Sequence, residues 1–219
     1  LATFGTRGFE TTSLDVLAGE IGVRKQTILY YFPSKDVLLR AVVDDAAAQL
    51  VAELERTVAR APGGWMTVEA VVRKGFRLGA RRPGLPGLLR EVQRIGPPHS
   101  TRLWAGLAPL VSRARAFLAE EVEAGRFRPH DPDTVLFTAY WAVVGMATEV
   151  EAQQMLGGAP TLRALVRRRE ALISLMKPAI VLVDTAGYAG GGDISDSADM
   201  VSEPTHHPIA GSRFGELSR

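Results

Sequence analysis

One short run of the chain gathers most of the side chains suited to reading a nucleic acid: Arg24, Lys25, Gln26 and Thr27, then Tyr30 and Tyr31, then Lys35. On a short helix, Lys25, Gln26 and Thr27 fall in the first turn and can reach outward together. Lysine suits the acceptors of guanine, glutamine suits adenine, and the threonine methyl suits thymine. Arg24 adds a second cation at the helix start. Thr12, Ser13, Tyr30, Tyr31 and Lys35 carry hydroxyl, phenol and ammonium groups of the kind that hold phosphate oxygens, which fixes register without reading sequence. Total charge does not point to nucleic acid. The 219 residues sum to +2, and residues 1 to 36 hold four cations (Arg7, Arg24, Lys25, Lys35) and four anions (Glu10, Asp15, Glu20, Asp36). Placement therefore has to carry the reading.

The elements that must position these groups are helical. Leu1 to Phe9 has the pattern of a helix end, with Leu1 and Phe4 on one side and Gly5 and Gly8 weakening it. The lack of an initiating methionine predicts that this first helix is a stub. Thr11, Thr12 and Ser13 supply candidate caps for a second helix, with Asp15 as a reciprocal cap to Thr12. Leu14, Leu17, Ala18 and Ile21 form its apolar stripe. Gly22 suits an abrupt helix end through positive φ, and Val23 offers an apolar contact beyond the turn. The next helix is expected from Arg24 to Tyr31 and stops before Pro33, because proline pushes its predecessor out of the helical region. Two short helices around a glycine turn describe a helix-turn-helix. A plain helical hairpin within a bundle needs the same stripe and turn.

The run Arg7-Gly8-Phe9-Glu10-Thr11-Thr12-Ser13, then Ala18, Ile21-Gly22-Val23, Lys25, Thr27, Tyr31-Phe32-Pro33-Ser34-Lys35 and Leu38-Leu39 resembles the DNA-binding domain of TetR-type (TetR/AcrR) transcriptional regulators. The likeness implies an all-α homodimer with an N-terminal three-helix DNA-binding domain and a C-terminal helical domain for a small effector and for dimerisation. It further implies a repressor whose second motif helix enters the major groove of a near-palindromic double-stranded operator. One departure falls at position 29, where the family often places a tyrosine used against a DNA phosphate and this chain has Leu29.

Ser34 is expected to cap a long helix from Lys35 to about Ala61. Val37, Leu38, Ala41 and Val42 would face the DNA-binding domain, and Leu50, Leu54 and Val58 repeat at four-residue spacing farther along. Trp65, Val68, Val72 and Phe76 mark another helix, Leu88, Leu89, Val92 and Ile95 a shorter one. Ser100 is the expected cap of a long helix that Pro109 should kink. Asp131-Pro132 reads as a helix start, followed by apolar residues on more than one face (Val135 to Ala147). Gly157-Gly158 is read as its end, and Thr161 as the start of a last helix with Leu162, Leu165, Val166, Leu172, Ile173 and Met176 in its stripe. Residues 1–45 are thus expected to bind DNA, 46–177 to bind the effector and pair two subunits, and 178–219 to form a disordered tail. The last two helices are the expected dimer faces. Phe76, Leu88, Trp104, Phe117, Phe137, Tyr140 and Trp141 are the candidate effector-pocket residues; the same aromatics would serve equally as core.

With no cysteine there is no thiolate nucleophile and no cysteine-based metal site, and His99, His130, His206 and His207 form no helical metal pair. Gly190-Gly191-Gly192-Asp193 lacks the lysine and hydroxyl of a phosphate loop. No carboxylate pair stands out, so the sequence names no catalytic residue, metal or cofactor. No apolar run approaches the ~18 residues of a membrane span, which leads to the expectation of a cytoplasmic protein. The competing reading is a helical small-molecule-binding protein or enzyme with an inactive DNA-binding module.

Overall fold

The computed structural model describes residues 1–148, 154, 155, 157 and 161–182. Its helices are α1 (Ala2–Arg7), α2 (Leu14–Ile21), α3 (Lys25–Tyr31), α4 (Lys35–Val58), α5 (Gly64–Arg81), α6 (Gly84–Ile95), α7 (His99–Glu123), α8 (Pro132–Thr148) and α9 (Leu162–Ile180). The fold is all-α; among the described residues the one extended contact is an isolated antiparallel bridge between Phe127 and Val181.

Local chemistry sets most boundaries. The Ser13 hydroxyl accepts from the Val16 N–H (3.2 Å) to start α2. Gly22 ends it at φ 70°, ψ 30°, and the Val23 N–H bonds the Ala18 carbonyl, a left-handed cap that side-chain-bearing residues rarely adopt. Phe32 is extended (φ −131°) before Pro33, which stops α3. Ser34 caps α4 through Val37 N, Asp131 caps α8 through Thr134 N, and Thr161 caps α9 through Ala164 N. Three expectations change. Of the three candidate caps of α2 Ser13 takes the role, and the reciprocal Thr12–Asp15 pair does not form, because the Thr12 hydroxyl bonds the Gly8 carbonyl. α7 begins at His99 behind Pro98 with no side-chain cap, so Ser100 has no such role. α9 continues through Pro178 to Ile180. Of the expected helix end at Gly157-Gly158, Gly157 is described, in a turn at φ 73°, whereas Gly158 and most of the expected tail lie outside the described residues.

Two apolar clusters hold the helices. The first joins Phe4, Leu17, Ala18, Ile28, Leu39 and Val43 to Leu85, Leu88, Leu103 and Val144, so the core runs without a break across position 45. The second joins Val72 and Phe76 of α5 to Leu118, Phe127, Leu172, Ile173 and Met176. α4 faces inward with Leu39, Val43, Ala46 and Ala47, while Val37 and, on α2, Ile21 are exposed. Across α5 and α9, Glu170 receives two bonds from Arg73 (2.5 and 2.7 Å). Arg73 and then Arg169 hold the Glu170 carboxyl down to about 2.

α1 meets α6 backbone to backbone. A Cβ on Gly5 would fall 2.1 Å from the Gly84 carbonyl oxygen, one on Gly84 2.5 Å from Ala2 Cα, and one on Gly87 2.0 Å from the Gly5 carbonyl oxygen. Only glycine permits this approach, so Gly5 sits inside α1 as a packing residue, not as a helix weakener. Overpacking of this type costs about 1–3 kcal/mol, and each kcal/mol moves the melting temperature of a domain this size by about 2–4 °C. Gly87→Ala is therefore expected to lower the Tm by several degrees in a calorimetric scan. Gly19→Ala on α2, where a Cβ meets nothing within 4 Å, should be neutral or raise stability by about 0.5–1 kcal/mol.

Candidate functional site

α3 is anchored by one buried side chain, Ile28, which turns the opposite face outward. Helical spacing puts Gln26, Thr27 and Tyr30 on that outer face, and all three are exposed; Tyr30 is 81% exposed. Tyr31 is exposed beside it, its ring edge-on to Tyr30 at 5.0 Å. Arg24, in extended conformation at the helix start, is exposed and unpaired among the described residues. Lys25 is ion-paired to Asp15 of α2 at 2.8 Å, so its ammonium is held at the rim of the face. Leu29 is partly exposed on the Lys25 side.

Three other expected contacts lie differently. Thr12 is 0% exposed, and its hydroxyl donates to the Gly8 carbonyl at 2.6 Å; it closes the α1–α2 loop and does not reach the surface. Ser13 is exposed, with its oxygen engaged as the α2 cap. The Lys35 ammonium donates to the Phe9 carbonyl at 2.8 Å and stands 4.3 Å from the centre of the Phe9 ring. It braces the α1–α2 loop against α4.

Phe9 is the centre of that brace. Its N–H donates to Glu91 Oε1 of α6 at 2.6 Å, and its ring lies against Phe4 and His99 at 5.8 and 6.1 Å. His99, buried at the start of α7, bonds Asp36 of α4 through Nε2 at 2.8 Å. Sequence reading missed Glu91 and His99, because one acid on an amphipathic helix and one histidine after two prolines give no local sign of burial.

A cavity of about 830 Å³ lies among α4 to α8, within the range of sites for drug-sized molecules. Of the expected pocket residues, Trp104, Phe117, Phe137 and Tyr140 line it. Phe76, Leu88 and Trp141 do not: Phe76 packs in the second cluster toward α9, Leu88 lies in the first cluster on α6, and Trp141 turns to the outer face of α8. The regular spacing of Leu50, Leu54 and Val58 on α4 turns out to mark cavity wall. Tyr140 packs against Trp104 with ring centres 5.2 Å apart and planes tilted by 55°, and burial pushes its phenol up to about 12, so it stays protonated at any working pH. Polar groups enter mainly at the rim, where Arg113 pairs with Glu55 and Arg115 with Asp133.

Together these features define a helix-turn-helix protein with a hollow helical body. Residues 1–42 match the family model described as bacterial regulatory proteins, tetR family. The chain is 30% identical over 161 residues to the HTH-type transcriptional regulator RutR of Escherichia coli (strain K12), covering 69% of this chain and 73% of that protein. The fold matches the ketosteroid transcriptional regulator KstR2 of Mycobacterium tuberculosis (TM-score 0.66, 17% identity, 83% of this chain and 91% of that one). It also matches the transcriptional regulator FadR of Bacillus subtilis, solved with stearoyl-CoA (TM-score 0.66, 16% identity, 80% and 91%). The chain belongs to the TetR family of bacterial regulatory proteins.

The brace has a pH signature. Hydrogen bonding from Arg94, and then from the Phe9 N–H, holds the Glu91 carboxyl below the usual range against the opposing effect of burial. A depressed carboxylate stabilises the fold fully above its unfolded pKa, about 4.3, and that contribution is lost as pH falls through the folded value. Glu91→Gln should lower the Tm at pH 7, and the gap to the unchanged protein should close below about pH 4 as Glu91 protonates; parallel Tm curves from pH 3 to 7 would contradict this.

Proposed function

We propose that the protein is a sequence-specific transcriptional repressor that binds a near-palindromic double-stranded operator as a homodimer and is released by a small apolar effector. The observation that carries the DNA reading is the outward face of α3, where Gln26, Thr27 and Tyr30 stand exposed beside the unpaired Arg24. On this reading α3 enters the major groove, with Lys25, Gln26 and Thr27 nearest the base edges. Arg24, Ser13, Tyr30 and Tyr31 hold the backbone. Residues 1–45 do the binding and 46–177 carry the effector site and the dimer face. No described helix is long and apolar enough to cross a membrane, which accords with action in the cytoplasm.

The dimer reading rests on α8. Thr134, Phe137, Thr138 and Trp141 fall on one side and are exposed, and no charged residue occurs from Thr134 to Thr148. An uncharged helix face with two large aromatics is the composition of a buried interface, and two-fold pairing would set two α3 helices about 34–36 Å apart, one DNA turn. The effector reading rests on the cavity and on α4. Leu50, Leu54 and Val58 of that helix line the cavity while Leu39 and Val43 sit in the core beneath α2 and α3. An effector then acts by binding the DNA-competent and DNA-incompetent arrangements unequally.

Two measurements test these parts. In binding assays on operator variants, Gln26→Ala should flatten preference at one or two base pairs, a loss of about 1–3 kcal/mol of discrimination. Arg24→Ala should weaken all sequences alike and reduce the salt slope by about one; an exchange of the two phenotypes would reverse the assignment. In sedimentation experiments Trp141→Glu should yield monomers with native helix content, and a dimer that persists unchanged would place the interface elsewhere.

A further inference from the structure

The charges in the cavity wall cancel one another. Arg113 of α7 pairs with Glu55 of α4, and Arg115 of α7 with Asp133 of α8, so each of these charges already has its opposite. A charged group on a ligand would have to displace one of these partners or lie unpaired against apolar side chains, which is costly. The ligand that suits such a wall carries no charge.

Two hydroxyl-bearing side chains, Thr67 of α5 and Tyr140 of α8, stand in the wall among the described residues. Tyr140 presents its ring to the hollow: its oxygen is fully enclosed and lies beside Gln93 of α6. Thr67 is only 5% exposed, and its hydroxyl has no hydrogen-bond partner among the described residues. Every other described threonine that is not exposed has an acceptor. Thr3 donates to Glu20, Thr12 to the Gly8 carbonyl at 2.6 Å, Thr57 to the Glu53 carbonyl at 2.9 Å and Thr148 to the Val144 carbonyl at 2.9 Å. A helical threonine commonly bonds the carbonyl three or four residues back. Thr67 makes no such bond with Gly64 or Gly63.

A buried hydroxyl without a partner destabilises the empty protein. It can donate to a carbonyl oxygen or accept from a hydroxyl. Resting on the effector reading above, we propose that the ligand is an uncharged, mainly apolar molecule whose one hydroxyl or carbonyl oxygen pairs with the Thr67 hydroxyl. Val68, Val71 and Val72 surround that hydroxyl on the α5 wall, so the ligand's oxygen meets a partner at Thr67 and its apolar body fills the rest of the hollow. One polar group among apolar ones fixes the orientation of the bound molecule. No covalent bond is made or broken.

The test is calorimetric titration of the full chain at about pH 7 with four probes on one skeleton: 4-phenylbutan-1-ol, butylbenzene, 4-phenylbutanoate and 4-phenylbutylamine, the last two charged at that pH. The alcohol is expected to bind at least about tenfold tighter than the acid or the amine, a difference of about 1.4 kcal/mol. Thr67→Val, which exchanges the hydroxyl for a methyl of similar shape, should weaken the alcohol about three- to tenfold, the worth of one neutral hydrogen bond. It should leave butylbenzene within about twofold, which also verifies an intact cavity, and Thr67→Ser should keep the alcohol within about threefold of the unchanged protein. Acid or amine bound as tightly as the alcohol would overturn the uncharged assignment. Equal losses of alcohol and butylbenzene in Thr67→Val, or no loss of the alcohol, would overturn the role of Thr67. Either result leaves the effector site in place, whereas binding of none of the four probes would overturn both.

Discussion

The backbone contact between α1 and α6 is the constraint on which the rest depends. The α1–α3 unit buries few large side chains of its own: Phe4, Leu17, Ala18 and Ile28 are its contribution to a cluster completed by α4, α6, α7 and α8. A unit with so little apolar surface cannot hold a defined shape alone, so its orientation has to be borrowed from the body. Gly5, Gly84 and Gly87 allow α1 to lie directly on α6. Phe9 then fixes the loop that follows, giving its N–H to Glu91 and its carbonyl to Lys35. The direction in which α3 points is thus determined by residues 50 or more positions away, on α6 and α7.

The same helix forms a wall of the cavity. Leu85, Pro86 and Leu89 face the hollow and Gly84, Gly87 and Glu91 face α1 or its loop, so α6 is a partition one helix thick. A close-packed interior gains dispersion energy from every filled contact, and a hollow of about 830 Å³ forgoes many of them. Retaining it is consistent with a site kept for a ligand. Stability is recovered elsewhere, in the second cluster of α5 and α9 and in the paired bonds from Arg73 to Glu170.

Local signals made much of the fold legible. Gly22, Pro33, Ser34, Asp131 and Thr161 act through their own backbone or the next turn, and each bounds a helix where the residue type predicts. Stripes told which residues are apolar together, but not which face wins when a helix has neighbours on several sides. Ile21 and Val37 belong to stripes and are exposed, while Ala46 and Ala47 sit beneath the body. The candidate site divides in the same way. The exposed face of α3 follows from one helical period around Ile28. Thr12 and Lys35 have the chemistry of phosphate ligands, yet their partners, the Gly8 and Phe9 carbonyls, are supplied by the folded loop. The cavity was half legible because aromatic type does not encode direction: Tyr140 turns inward and its neighbour Trp141 turns out.

The glycines of α1 and α6 also determine how a movement of one helix bears on the other. Where helices meet through long side chains, a small shift is absorbed by rotamer changes and fades within one layer. Gly5 and Gly87 offer no side chain to adjust, and a Cβ at either would already overlap carbonyl oxygen. A displacement of α6 toward α1 can be accommodated by moving α1 as a body, and with it the loop at Phe9 and the turn that sets α3. A displacement away leaves a gap that no side chain can fill and breaks the Phe9–Glu91 bond. Either way the contact leaves little room for gradual adjustment by side chains, since closely packed interfaces are not continuously deformable. The close approach that orients α3 therefore also ties its orientation to α6, the helix that walls the cavity.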